Sequence, residues 1–208
     1  MSYASEVLSD SPTAYWHLDE TSGTTAADSS GNGNTATFST SIVHIGQAPL
    51  IHDGYSFQWY GTGNTTIATA GFGTLGGGAW TVEAWINTSA SQDQPILALF
   101  NSGVVNLFFR VTTSGNVSAA STVLAAGGST ATSVTSNVVN DGQTHHVVAV
   151  KSGSTIHIYI DGVEAAYSTQ TSYLAPDEVV AGGSGSIGYS STVFSGNIDE
   201  LAFWNQTA

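Results

Sequence analysis

Ala14–Phe38, AYWHLDETSGTTAADSSGNGNTATF, and Phe194–Asn205, FSGNIDELAFWN, decide how the chain between them is read. The first alternates Tyr15, His17 and Asp19 against Trp16 and Leu18, as a half-buried strand does, then breaks into an Asp-, Ser- and Gly-rich turn. The second sets the carboxylates Asp199 and Glu200 inside a strand. Two such strands at the margins of a chain of short β-type runs imply one sandwich whose first and last strands meet. That meeting would bring carboxylates from both ends within reach of one cation.

Working inward, alternation recurs and helical periodicity is almost absent. Tyr55–Tyr60 is aromatic on both faces and ends in the turn signal Gly61-Thr62-Gly63-Asn64. Trp80–Asn87 (WTVEAWIN) sets Trp80, Val82, Ala84 and Ile86 against Thr81, Glu83 and Trp85. Ile96–Phe100 and Val104–Thr112 form a hairpin about Asn101-Ser102-Gly103. The clearest signal is a three-stranded meander, His145–Lys151, Thr155–Ile160 and Val163–Tyr167, whose second turn is Asp161-Gly162. Asp-Gly between alternating runs supplies the positive φ of a two-residue hairpin turn. No fixed-period repeat and no long linker divides the chain. The expected organisation is an N-terminal arm over 1–13 and one nearly all-β domain over 14–208.

Composition narrows the function classes. Lys151 and Arg110 are the only strong bases among 208 residues, against 15 acids, a formal charge of −13. Such a surface repels phosphate backbones and anionic bilayers, so nucleic-acid binding and membrane insertion are not expected. Charged residues are only 8% of the chain, so its solubility rests on Ser, Thr, Asn and Gly. Cysteine is absent, which excludes disulfides and thiolate metal sites. The start, MSYASEVLSDSPTAYW, has neither a basic nor an apolar signal region, so synthesis in a cytoplasm without general export is expected.

These residues carry a resemblance. AYWHLDETSGTTAADSSGNGNTATF resembles the opening of laminin G-like, concanavalin A-like domains, and WTVEAWIN is similar to their central aromatic strand. DGQTHHVVAVKSGSTIHIYIDGVEAA is similar to their hairpin block and FSGNIDELAFWN to their last strand. Thr144 departs from the pattern, standing where such domains usually place Trp. The resemblance implies a jelly-roll sandwich of two antiparallel sheets, often with a structural calcium, in proteins that bind glycans or other proteins. SYASEVLSDSPTAYW is also similar to the start of such domains in bacteriophage head and tail proteins.

The residue-level candidates follow. A calcium ion, which takes six to eight oxygens, would be held by Asp28 and Asn32 of the first turn with Asp199 of the last strand, Asp19 and Glu200 being reserves. The alternative is that Asp28 only caps its turn through backbone amides. His145 and His146 are adjacent on a strand and point to opposite faces, so they do not chelate one ion. Catalysis is not expected. The paired carboxylates of a sandwich glycosidase are missing, Glu83 being the only strand-centred acid in an aromatic setting, and no G-x-S-x-G elbow occurs. Tyr55, Trp59, Tyr60, Tyr173 and Tyr189 are candidate sugar platforms, or else core aromatics.

Two functions therefore remain open. The first is a non-catalytic virion accessory protein, decorating a bacteriophage capsid or tail, with other virion proteins, its own copies or a cell-surface glycan as partners. The second is an extracellular carbohydrate-binding module that reads a polysaccharide through loop aromatics.

Overall fold

The computed structural model describes residues 2–51, 54–60, 79–101, 104–121, 133–169, 178–182 and 193–206. In chain order its elements are α1 (Tyr3–Ser9), β1 (Ala14–Trp16), β2 (Thr25–Ala26), β3 (Ala36–Thr37), β4 (Val43–Gln47), β5 (Ser56–Trp59), β6 (Trp80–Asn87) and β7 (Gln94–Asn101). They continue as β8 (Val104–Val111), β9 (Asn116–Ser121), β10 (Ser133–Val138), β11 (Thr144–Ser152), β12 (Thr155–Ile160), β13 (Val163–Thr169), β14 (Glu178–Ala181) and β15 (Gly196–Trp204).

Among the described residues these strands make two large sheets and a small hairpin, β2–β3. One sheet has eight strands, in the order β13-β12-β11-β6-β15-β5-β4 with β1 added against β15. The other has five, in the order β10-β9-β8-β7-β14. The pairings are antiparallel, and the fold is an all-β sandwich as expected. Alternation decides what lies between the sheets. Trp80, Val82, Ala84 and Ile86 of β6 all point inward, as do Val147 and Ala149 of β11 and Ile156 and Ile158 of β12. They meet Leu97, Leu99, Leu107, Phe109 and Val117 from the facing sheet. Burying each large side chain is worth about 1.5–3 kcal/mol.

The two ends of the chain do meet. Ala14, Tyr15 and Trp16 pair with Phe203, Ala202 and Leu201. β15 is a shared strand: Gly196–Ile198 pair with β5, and a register shift between Asp199 and Ala202 then passes the strand on to β1. Glu200 takes up the extra residue at φ +53°. In the meander, Asp161 and Gly162 adopt φ +52° and +78°, the two positive values that a tight hairpin turn needs.

Within the N-terminal arm, α1 packs on the sandwich. Ser2 caps α1 by accepting a hydrogen bond from the Ser5 amide at 3.3 Å. Val7 is buried with Tyr15, Ala202 and Trp204 on the outer face of the eight-stranded sheet. The Trp204 indole donates to the Asp10 carbonyl at 3.0 Å. A helix of seven residues completes only two turns, too few for its periodicity to show in a sequence. None of the described helices is long and apolar enough to cross a membrane.

Candidate functional site

Register assembles a polar row on the outer face of the eight-stranded sheet. His44 of β4 lies opposite Gln58 of β5, Gln58 opposite Asn197 of β15, and Asn197 opposite Asn87 of β6. Their chain neighbours Val43, Phe57, Trp59, Ile198 and Ile86 are buried in the core, so alternation turns the row outward. With strands about 4.8 Å apart, four strands give a row of roughly 14 Å. It floors an open groove of about 440 Å³ whose lining also includes Tyr60, Thr88 and Ser195.

One end of the groove is aromatic and the rest is amide. The rings of His44 and Tyr60 lie 3.8 Å apart between centroids, tilted by 45°. The Tyr60 hydroxyl is tied to the Thr40 carbonyl at 3.3 Å, which holds the ring at the rim. Asn87 donates its side-chain N–H to the Gly142 carbonyl at 3.0 Å, and Asn197 donates to Ser56 Oγ at 2.9 Å. Each spends one of its two N–H groups in this way, so each amide keeps an oxygen acceptor and a second N–H. Such a surface can seat a flat, hydroxyl-bearing ligand: C–H groups against the ring, hydroxyls to the amides. A second depression of about 500 Å³, beside Pro12, Asn32 and Asn205, has no aromatic ring in its lining.

The platform candidates separate on this geometry. Tyr60 is in the groove. Trp59 is 1% exposed and turned into the core, so close to Gly182 that a side chain there would collide with the indole. Tyr55 is 43% exposed, outside the groove lining. Tyr173 and Tyr189 lie outside the described residues. His44, Gln58, Asn87 and Asn197 carry no local signal in the sequence that marks them as site residues. Only pairing register could have found them, since they are far apart in the chain.

The metal candidates also divide. Asp28 forms an isolated bridge with Trp16 on the flank of β1 away from β15, and Asp199 lies on the β15 side. The Asp28 carboxylate accepts from the amides of Tyr15 (3.0 Å), Ser30 (2.9 Å) and Asn34 (2.8 Å). Burial works to raise its pKa, but hydrogen bonds from Ser30, Tyr15 and Asn34 outweigh it and hold the group below its ordinary value. Asn32 donates to the carbonyls of Pro12 (3.0 Å) and Thr13 (3.1 Å). Asp28 and Asn32 thus tie the turn to the chain entering β1.

Asp199 is brought instead toward Asp19 and Glu200. It is 1% exposed, accepts from the Leu50 amide at 3.0 Å, and is pushed up to about 7. Burial is the main cause, with the charges of Glu200 and Asp19 adding to it. Asp19 accepts from the Tyr55 amide at 2.6 Å and lies so close against Gly54, at φ +87°, that no side chain would fit there. Glu200 is satisfied separately, by the Tyr15 hydroxyl and by His17 Nδ1 at 3.2 Å. The hydrogen bond to Glu200 raises the His17 pKa, against an opposing effect of burial. Among the described residues no group of three or more His, Cys, Asp or Glu is arranged to hold a metal. A site built on Asp19 and Asp199 would have to complete its shell with carbonyl oxygens, a set that suits hard calcium.

Glu83 is covered by α1. It accepts from the Tyr3 hydroxyl at 2.9 Å and lies 3.6 Å from His146 Nε2. His146 stacks on Trp85 at 4.8 Å. It shares the outer face with Val148 and Val150, as the alternation implies, but is satisfied beneath the helix and not between the sheets.

Known proteins agree with this architecture. The Trypanosoma rangeli sialidase, in its complex with sialic acid, superposes with a TM-score of 0.64 at 14% identity over 94% of this chain and 31% of that one. The binding domain of Paraclostridial Mosquitocidal Protein 1 gives 0.71 at 11% identity over 97% of this chain and 50% of that one. The Ruminococcus gnavus IT-sialidase CBM40, bound to α2,3-sialyllactose, gives 0.54 at 16% identity over 63% of this chain and 78% of that one. The chain spans about a third of the sialidase and half of the mosquitocidal protein's domain. At these identities the likeness is one of fold. No curated protein matches the sequence. The Laminin_G_3 family, described as the Concanavalin A-like lectin/glucanases superfamily, matches residues 60–208. By that match, and by its two-sheet sandwich, the chain belongs to the concanavalin A-like lectin and glucanase superfamily as a Laminin_G_3 domain.

Proposed function

We propose that this domain is a non-catalytic carbohydrate-binding module whose ligand lies along the row His44–Gln58–Asn197–Asn87, with one sugar ring against Tyr60. The observation that carries the reading is the aromatic pair standing at one end of a four-strand row of amides in an open groove. Membership of a lectin-containing superfamily supports it, as does the like fold of a sialidase module bound to a sialylated sugar. Presentation on a virion, with particle proteins and further copies as partners, would need a second docking surface. The groove reading needs only the residues above.

Calcium enters the same proposal as a structural ion. Asp19 and Asp199 would hold it. Bound there, it would supply the positive charge that the buried Asp199 lacks beside the acids Asp19 and Glu200. Its place is beside the groove and not in it, so its role would be to hold the carboxylates that accept from the amides of Leu50 and Tyr55.

Isothermal titration against a panel of plant, bacterial and animal polysaccharides tests the reading. Saturable binding to at least one glycan is expected, and Tyr60→Ala should weaken it about tenfold, as the loss of one aromatic anchor does. The circular dichroism spectrum should be unchanged. A panel without any saturable binder would overturn the proposal.

A further inference from the structure

The groove lacks a cation, and so does nearly all of the surface. Arg110 and Lys151 are the whole basic complement of the 208 residues. Arg110 is on β8, in the other sheet, paired with Asp93 and lying 5.1 Å from the centre of the Phe108 ring. Lys151 is fully buried at the end of β11, where its ammonium donates to the Gly153 carbonyl. Of the five described histidines, four are engaged with acids. His17, His145, His146 and His157 each face a carboxylate, on Glu200, on Asp141 and Asp161, on Glu83 and on Glu164. His44, in the groove, is stacked on Tyr60.

What the groove does offer is neutral polar groups. Asn87 and Asn197 each give one N–H to Gly142 and Ser56, which fixes the amides so that an oxygen and a second N–H remain for a ligand beside Gln58 and Thr88. Asp199, two residues beyond Asn197 on β15, is 1% exposed and outside the groove lining, so it adds no partner for a ligand. A sugar carboxylate or sulfate brought here would lose water and gain no Lys or Arg partner, on a chain whose formal charge is −13, which is how a site rejects a ligand. Hydroxyl donors would be satisfied.

We infer that the ligand of the groove is an uncharged glycan, and that acidic sugars, sialic acid and uronic acids among them, are excluded by a lining of amides and hydroxyls that holds neither Lys nor Arg, on a chain of formal charge −13. This inference rests on the glycan reading and sharpens it. It sets the chain apart from the structural relatives captured with sialic acid or sialyllactose, whose fold it shares.

The experiment compares matched probes on the intact chain: lactose with 3′-sialyllactose, and a neutral galactan, mannan or xylan series with polygalacturonate. Titrations are run in calcium and again in chelator, on the wild type and on Tyr60→Ala and Gln58→Ala. The expected result is saturable binding of a neutral probe, weakened by either substitution. Its acid-bearing counterpart should bind at least about tenfold more weakly in both buffers. Binding of an acidic probe as tight as that of the neutral one, and lost in Tyr60→Ala, would overturn the inference while leaving the glycan reading in place. Binding of no probe, or binding indifferent to both substitutions, would overturn the glycan reading and the inference with it.

Discussion

Asp199 shows how one buried acid sets a pH dependence. Its carboxyl sits at about 7 in the fold against an ordinary 3.8, so the folded state holds the proton more tightly than the unfolded chain. The stability this group contributes is therefore greatest in acid and falls as pH rises from about 4 to about 7. His17, raised by Glu200, acts in the same sense: its contribution is present below the unfolded value of 6.5 and is lost as pH rises through the folded one. In chelator, the melting temperature should be higher at pH 5.5 than at pH 7.5 by about 3 °C or more. Asp199→Asn should remove most of that difference and stabilise the chelated protein at pH 7.5. Saturating calcium should flatten the wild-type profile; a calcium-indifferent melt would remove the ion from Asp19 and Asp199. The sequence already marked Asp199 as a carboxylate inside a strand. Asp28 was harder to read, because its turn-rich setting is the same whether it faces a cation or, as here, three amides.

Among elements, strands were legible and their register was not. Alternation identified β6, the β7–β8 hairpin and the β11–β13 meander, because each buries one face and turns at Gly, Asn or Asp. The row across β4, β5, β15 and β6 joins residues more than a hundred positions apart, and no local pattern encodes which residue stands opposite which. The helix escaped for the opposite reason, being too short to show a period. Its anchoring is testable. Val7→Asp should lift α1 from Tyr15 and Trp204 and cost about 2–3 kcal/mol, as burying an unpaired charge in an apolar contact does. Hydrogen exchange should then show fast amides over residues 3–9 with the sheet amides still protected. Uniform loss of protection would mean instead that the helix is integral to the cooperative unit.

For the whole molecule, the charge imbalance was plain from composition and the structure gives it consequences. With −13 and both bases engaged, the folded surface repels itself. Raising sodium chloride from about 10 mM to about 150 mM shortens the screening length from about 30 Å to about 8 Å and should raise the melting temperature by a few degrees. A lower melting temperature in salt would show that attractive pairs, such as those of the histidines, outweigh the repulsion. The position of β15 bears on how such a body is made. This last strand lies in the interior of the larger sheet, between β6 on one side and β5 and β1 on the other. During synthesis β1, β5 and β6 emerge and wait with their central partner still in the ribosome, and β1 cannot close onto its mate until nearly two hundred residues later. Closure therefore waits until nearly the whole domain has been made, slow by its long-range pairing and exposed to aggregation until it happens.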